Sequence, residues 1–352
     1  MKTSVHSPMI LRLLFAALFV FMAAGLFAQE TSTCAEKLKT AQSYFQKGQV
    51  ELIPSLLKDC LKSGFKKEEE LTAYKLLIQT YLLSDKLGLA DSTMMEFLKK
   101  NPEYVLSPTD HSSFVYLYNN FQVKPVVQIG IHAGTNIPFL TFVSANPTIG
   151  EQVKTKFSRN IINLFISVES KFKINEKLEV GLEAGFSQLK FANKTTAGFT
   201  SITYTESQQR IEVPVSATYA FTSFGKFTAY GRLGAGAAFT LGVTSTDSYN
   251  PTDDNNKINS RTGEDLKRKD SRTSIDYFGQ LGAGIKYKIP KGFLFAELRS
   301  NFGIAEQNVP GGSTVSTLEW YYLGGAPTFR INAVNINIGY SHIFYKPTKR
   351  KE

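Results

Sequence analysis

One tryptophan, two cysteines and four histidines are all that a chain of 352 residues offers of three chemically versatile residue types. The histidines stand at 6, 111, 132 and 342 without metal-ligand spacing, so no common zinc motif is present. Cys34 and Cys60 lie too far apart for a paired-cysteine redox motif. No glycine-rich loop follows a strand and opens a helix to cradle phosphate, since Gly234, Gly236 and Gly282 fall inside strand-like runs. A nucleophile elbow is missing as well. Acidic residues are fewer than basic ones, 30 against 40, for a net charge of +10. No nucleic-acid motif accompanies that excess, and a basic surface near anionic lipid or polysaccharide accounts for it better than nucleic acid does. The sequence argues for no enzyme, no cofactor and no metal site.

What is present begins with Lys2 and Arg12, then an apolar run over 13–28 with small residues Ala23, Ala24, Gly25 and Ala28 near its end. That is the layout of a secretory signal peptide over 1–28. The run is short of the ~20 residues that a membrane helix needs. Loss of Lys2 and Arg12 with the signal brings the charge to +8. Cys34 lies outside the apolar run, which argues against a lipid anchor. Two cysteines in an oxidising compartment suggest a disulfide.

Composition changes near residue 121. Before it the periodicity is helical, with helices expected over 34–47, 50–62, 69–83 and 87–100 and a further segment over 112–121. Gly48 and Gly64 end the first two, and Asn101-Pro102 closes the fourth. Cys34 and Cys60 stand at similar distances from the Gly48 turn, so an antiparallel hairpin brings them together. A bridge there closes about 27 residues and stabilises by roughly 3–4 kcal/mol on the chain-entropy treatment. In the second hairpin Tyr74, Leu77, Tyr81, Ala90, Met94 and Pro102 fall at the spacings of a tetratricopeptide repeat, which it resembles. Ile78 stands where that family prefers Gly, and Phe97 where it prefers Ala. The resemblance implies a protein-interaction surface over 29–121, with Tyr74, Leu77 and Tyr81 as docking candidates; a plain helical spacer is the alternative.

After residue 121 the period becomes two. Leu178, Val180, Leu182, Ala184 and Phe186 alternate with Glu179, Gly181, Glu183, Gly185 and Ser187, and Val334, Ile336, Ile338 and Tyr340 with Asn335, Asn337 and Gly339. Eight strands are expected, over 126–136, 160–174, 178–191, 201–222, 226–243, 272–289, 292–306 and 333–345. A soluble sandwich also alternates. Long strands, charged polar faces rich in glycine, and tight turns at 175–177, 223–225 and 290–292 opposite longer links favour a membrane barrel over 122–352. The fold class is therefore mainly β: an eight-stranded antiparallel transmembrane barrel preceded by a small all-α domain. Strand parity points Glu169, Glu179, Glu183, Glu212, Arg232, Asp276, Lys286, Glu297 and Arg299 into the lumen. Their mixed signs suit an ion-paired plug, with a small ion path or a catalytic acid pair as the other readings. His342, the one histidine in the last strand, points to lipid, which argues against a barrel hydrolase. The longest link, 244–272, reads as a solvated loop, and Trp320, Tyr321 and Tyr322 as markers of the membrane interface.

The stretch from Val126 to Tyr345 resembles the eight-stranded outer-membrane β-barrel proteins common in Bacteroidota. The segment Arg210-Ile211-Glu212-Val213-Pro214-Val215 and the aromatic final strand carry that resemblance, and the tail after Tyr345 departs from it. It implies an outer-membrane location. Strand order puts the helical domain and the C-terminus on the tight-turn side, the periplasm. The expected partners are outer-membrane lipid and a periplasmic or outer-membrane protein. The expected role is docking of that protein, for instance within a secretion or envelope-assembly complex; the alternative is a small-ligand binding or transport barrel.

Overall fold

The computed structural model describes residues 28–144, 154–158, 163–197, 200–251, 261–262, 266–267, 269–309 and 328–350. The signal segment and the Trp320-Tyr321-Tyr322 cluster lie outside the described residues. The chain divides into two units, one comprising residues 1–124 and 345–352, the other 125–344.

Among the described residues the first unit holds five α-helices: α1 Ala28–Gln46, α2 Ile53–Lys62, α3 Lys67–Leu83, α4 Leu87–Lys100 and α5 Ser112–Asn119. Gly48 adopts φ +75° in the turn after α1, a conformation that costs a residue without Cβ little. Pro54 sits in the first turn of α2, where its missing N–H is harmless. The Glu69 carboxylate accepts the Lys66 N–H at 2.9 Å at the start of α3, where three successive acids face the positive helix end. A disulfide joins Cys34 to Cys60, and beside it Leu38, Ala41, Ile53, Leu57, Ala73 and Leu76 form one small core. A second core gathers Tyr74, Ile78, Ala90, Met94, Phe97, Phe114 and Leu117, with Phe97 edge-on to both Tyr104 and Phe114. Asp110 fastens the α4–α5 link: it accepts from Lys75 Nζ at 2.6 Å, Tyr104 OH at 2.6 Å and Ser107 N at 2.7 Å.

Tyr74 and Leu77 are 2% and 6% exposed, and Tyr81 packs partly buried against the same core. Helix α3 packs against α1, α2, α4 and α5, so Tyr74 and Leu77 are consumed within the domain, while Leu83 at its end stays exposed.

The barrel strands are β1 Phe121–Ser144, β3 Asn163–Lys173, β4 Leu178–Ala197, β5 Thr200–Phe224, β6 Phe227–Pro251, β9 Ile275–Ile289, β10 Gly292–Gly303 and β11 Thr328–Lys349. Three short pieces, β2 Lys154–Ser158, β7 Arg261–Thr262 and β8 Leu266–Lys267, pair onto β4 or β6. The eight long strands form a closed antiparallel ring in the order β1-β3-β4-β5-β6-β9-β10-β11 and back to β1. At the start of β3 the Asn163 side chain bonds to two neighbouring strands: Oδ1 accepts Lys190 N at 2.8 Å while Nδ2 donates to Asn136 O and Lys190 O.

Several strands run far past the 9–11 residues needed to cross a bilayer. Strands β5 and β6 have 25 residues each, and β6 continues through 244–251, which the sequence placed in a loop. The stretch between the strands expected over 178–191 and 201–222 is likewise mostly strand, since β4 reaches Ala197 and β5 begins at Thr200. Backbone pairing persists there on faces rich in Ser, Thr and Gln, so no apolar stripe announces it. Lower down, Leu182, Leu233, Leu281, Leu298 and Ile338 are exposed on the outside, and no described helix is long and apolar enough to cross a membrane.

Candidate functional site

The inward positions of the ring carry polar and charged side chains, and the register sets which of them meet. Glu169 on β3 stands across from Glu183 on β4, and Arg299 on β10 from Gly282 on β9, which leaves room for the guanidinium. Arg232 on β6 is fully buried and reaches three carboxylates. It donates to Glu169 at 2.5 and 3.1 Å, to Glu297 at 3.0 Å and to Ser216 Oγ at 2.9 Å, with Glu183 at 3.6 Å. Arg299 pairs with both oxygens of Glu183 at 3.0 Å and with Glu297 at 2.6 Å. Tyr230 donates to Glu297 at 2.8 Å. The Tyr230 ring takes the space left by Gly284, where a Cβ would lie 2.6 Å from it.

On the tight-turn side of this knot, Glu179 accepts from Lys286 at 2.5 Å and from Gln128 at 2.8 Å, and Lys171 lies 2.9 Å from Glu169. Four carboxylates, Glu169, Glu179, Glu183 and Glu297, thus meet four cations, Lys171, Arg232, Lys286 and Arg299. Charge balance at this depth is required, because an uncompensated ion away from water costs several kcal/mol. Toward the other end, Glu212 accepts from Asn301 at 3.2 Å, and Asp276 accepts from Arg210 at 2.8 Å and Gln307 at 3.1 Å. Further out, Arg272 binds Glu206 at 2.7 Å and stacks over Phe329, beside an apolar cluster of Leu189, Phe191, Tyr204 and Ile331. The pocket bounded by Arg210, Glu212, Asp276 and Asn301 has room for about one water.

Of the nine residues assigned to the lumen from parity, Glu179 is half-buried and the other eight are buried. Seven of them join directly, Glu169, Glu183, Arg232, Glu297 and Arg299 in one knot with Glu179 and Lys286 just below it; Glu212 and Asp276 belong to the outer layer. Lys171, His132, Tyr230, Arg210, Glu206 and Arg272 also take part and were not picked from the sequence. Lys171 shares the parity of Glu169, and Arg210 that of Glu212, so the same rule would have found both.

His132, Glu169 and Glu183 offer ligand atoms within 4.8 Å of one another, a spacing a metal ion could use. The carboxylates are already taken by Arg232, Arg299 and Lys171, and a divalent cation would add charge to a balanced group. Ser167 Oγ lies 2.5 Å from His132 Nε2, and Glu183 approaches that same nitrogen at 3.5 Å. A serine-histidine-acid relay needs the acid on the opposite ring nitrogen, so this is no hydrolytic triad. His342 faces outward beside Tyr340, at 3.0 Å from its hydroxyl.

A closed eight-stranded antiparallel ring, apolar outside and ion-paired inside, defines an outer-membrane β-barrel. The chain belongs to the family described as outer membrane protein beta-barrel domain, which matches residues 120–306, more than half of its length. Solved structures similar to it include Neisserial surface protein A, 14% identical, over 62% of this chain and 97% of that one, TM-score 0.32. A major outer membrane protein from Thermus thermophilus is 13% identical over 62% and 100% of the two chains, TM-score 0.33. The outer membrane protease OmpT from Escherichia coli is 10% identical over 64% and 95%, TM-score 0.28. No curated protein matches the chain.

Proposed function

We propose that the protein is a non-enzymatic outer-membrane anchor whose helical domain docks another envelope protein. The observation that carries this reading is the ion-paired lumen: arginine-carboxylate bridges tie together strands on different sides of the ring, and the pocket between Arg210 and Asp276 has room for about one water. A barrel built this way holds its appended domain at the membrane. The docking surface is the α3–α4 tip, where Leu83, Leu87 and Leu89 are 65%, 59% and 48% exposed. Exposed leucines grouped on so small a domain suit a protein contact. The tight turns close the barrel end at which β1 begins and β11 finishes, which supports a periplasmic helical domain and C-terminus.

The test is purification of the tagged full chain from native membranes in mild detergent, followed by mass spectrometry. A stoichiometric envelope protein that is lost from the Leu83→Glu/Leu87→Glu variant supports docking. A lone barrel from native membranes contradicts it, as does a partner that survives the substitutions.

A further inference from the structure

Three tight turns close the same end of the barrel, and each carries lysine. Lys173 and Lys177 flank the β3–β4 turn, Lys226 lies in the β5–β6 turn, and Lys288 and Lys291 flank the β9–β10 turn. Glu176 is the one acid in these three turns. Backbone hydrogen bonds hold them side by side. Lys177 O accepts Ala220 N at 2.8 Å, Lys226 O accepts Lys288 N at 2.7 Å, and Lys291 O accepts Ile343 N at 2.8 Å. Successive hairpins therefore present their lysines about 10 Å apart along a fixed rim.

Two features distinguish this rim from an ordinary solvated surface. Just inside it, Lys171 and Lys286 each have a carboxylate, Glu169 and Glu179. Lys173, Lys177 and Lys226 are exposed, and no ion pair among the described residues includes them. Just above it, on the lipid-facing surface, lies an aromatic band of Tyr219, Phe221, Phe224, Phe227, Tyr287 and Tyr340, with Phe227 and Tyr287 in contact at 4.9 Å. Such a girdle marks the membrane interface. Lys177, Lys226 and Lys291 stand in the turns past it, at headgroup depth, while Lys173 shares the lumen-facing parity of Lys171 and lines the mouth.

We propose that this rim binds the headgroups of anionic phospholipids in the leaflet on the tight-turn side. Fixed cations beside an aromatic interface match phosphodiester headgroups, and each lysine near an anionic surface strengthens association by about fivefold. The proposal rests on the barrel spanning a membrane and not on which side the turns face.

The test is native mass spectrometry of the full chain in micelles containing equal amounts of phosphatidylglycerol and phosphatidylcholine with matched acyl chains. The wild type is expected to retain phosphatidylglycerol over phosphatidylcholine by at least about fivefold. Lys173→Gln/Lys177→Gln/Lys226→Gln/Lys291→Gln is expected to bring that ratio close to one. Lys190→Gln/Lys194→Gln, exposed toward the opposite end of β4, is expected to leave it unchanged. Heat-modifiable gel mobility checks folding. If the quadruple variant does not fold, Lys177→Gln/Lys226→Gln is read the same way, with a loss of at least about threefold. Equal retention of both lipids by the wild type overturns the proposal. So does a preference that survives loss of the rim lysines, or one removed by the Lys190 and Lys194 substitutions instead.

Discussion

Replacing Arg232 by methionine removes the guanidinium that holds the lumen knot together. The side chain makes two charge-assisted bonds to Glu169, one to Glu297 and one to Ser216. Methionine keeps much of the volume and none of the charge, so the four-against-four balance becomes three cations against four carboxylates. Breaking a buried pair by deleting one partner costs about 3–5 kcal/mol. Lys171 still sits 2.9 Å from Glu169 and Arg299 2.6 Å from Glu297, so neither carboxylate is left without a cation. The expected loss is therefore at the lower end, about 3 kcal/mol. Adding Glu169→Gln restores the balance and is expected to recover about 1.5–2 kcal/mol, a coupling in the range for groups of one network. The assay is denaturant unfolding of the micelle-bound full chain, followed by the strand signal in circular dichroism. A loss below about 1 kcal/mol for Arg232→Met, or simple additivity of the two substitutions, refutes the reasoning.

Two further predictions concern the helical domain. Cys34→Ser/Cys60→Ser opens a loop with a sequence separation of 26 and is expected to lower the stability of that domain by about 3–4 kcal/mol, read as an earlier loss of the helical dichroism signal. Asp110 governs an acid transition. Burial alone would raise its pKa, but hydrogen bonds from Lys75, Tyr104 and Ser107 outweigh burial and hold the carboxyl below its ordinary value. A depressed carboxylate pKa stabilises the fold above the unfolded value and loses that contribution as pH falls through the folded one. The helical signal is expected to weaken below about pH 4, and Asp110→Asn to be less stable at neutral pH with a shallower acid dependence.

Much of the barrel was legible because lipid outside and ion pairs inside impose a period of two. Leu178 to Phe186 against Glu179 to Ser187 is one such record. The same parity placed Glu183 and Arg299 inward, but their pairing across a separation of 116 residues needs the register, which local sequence does not carry. Strand β1 extends beyond the expected 126–136 at both ends, and its buried Gln128, His132 and Asn136 face inward while Ile129 and Ile131 are exposed outside; His132 carries no signal of its lumen role in the sequence. Beyond the membrane, segments such as Thr244–Pro251 pair with neighbours whose faces are polar on both sides, so hydropathy had nothing to detect. Tyr74 and Leu77 show the converse. The spacing that made them resemble repeat positions also puts them in a core, and a small domain surrounded by its own helices leaves such positions no free face.

The central claim is that the lumen is sealed by paired charges and the barrel serves as an anchor. Planar-bilayer recording of the purified full chain in concentrated potassium chloride tests it most directly. The account predicts an electrically silent membrane for the wild type, even when insertion is verified independently. Reproducible conductance steps from the wild type, with an ion selectivity altered by Arg299→Gln, would contradict it.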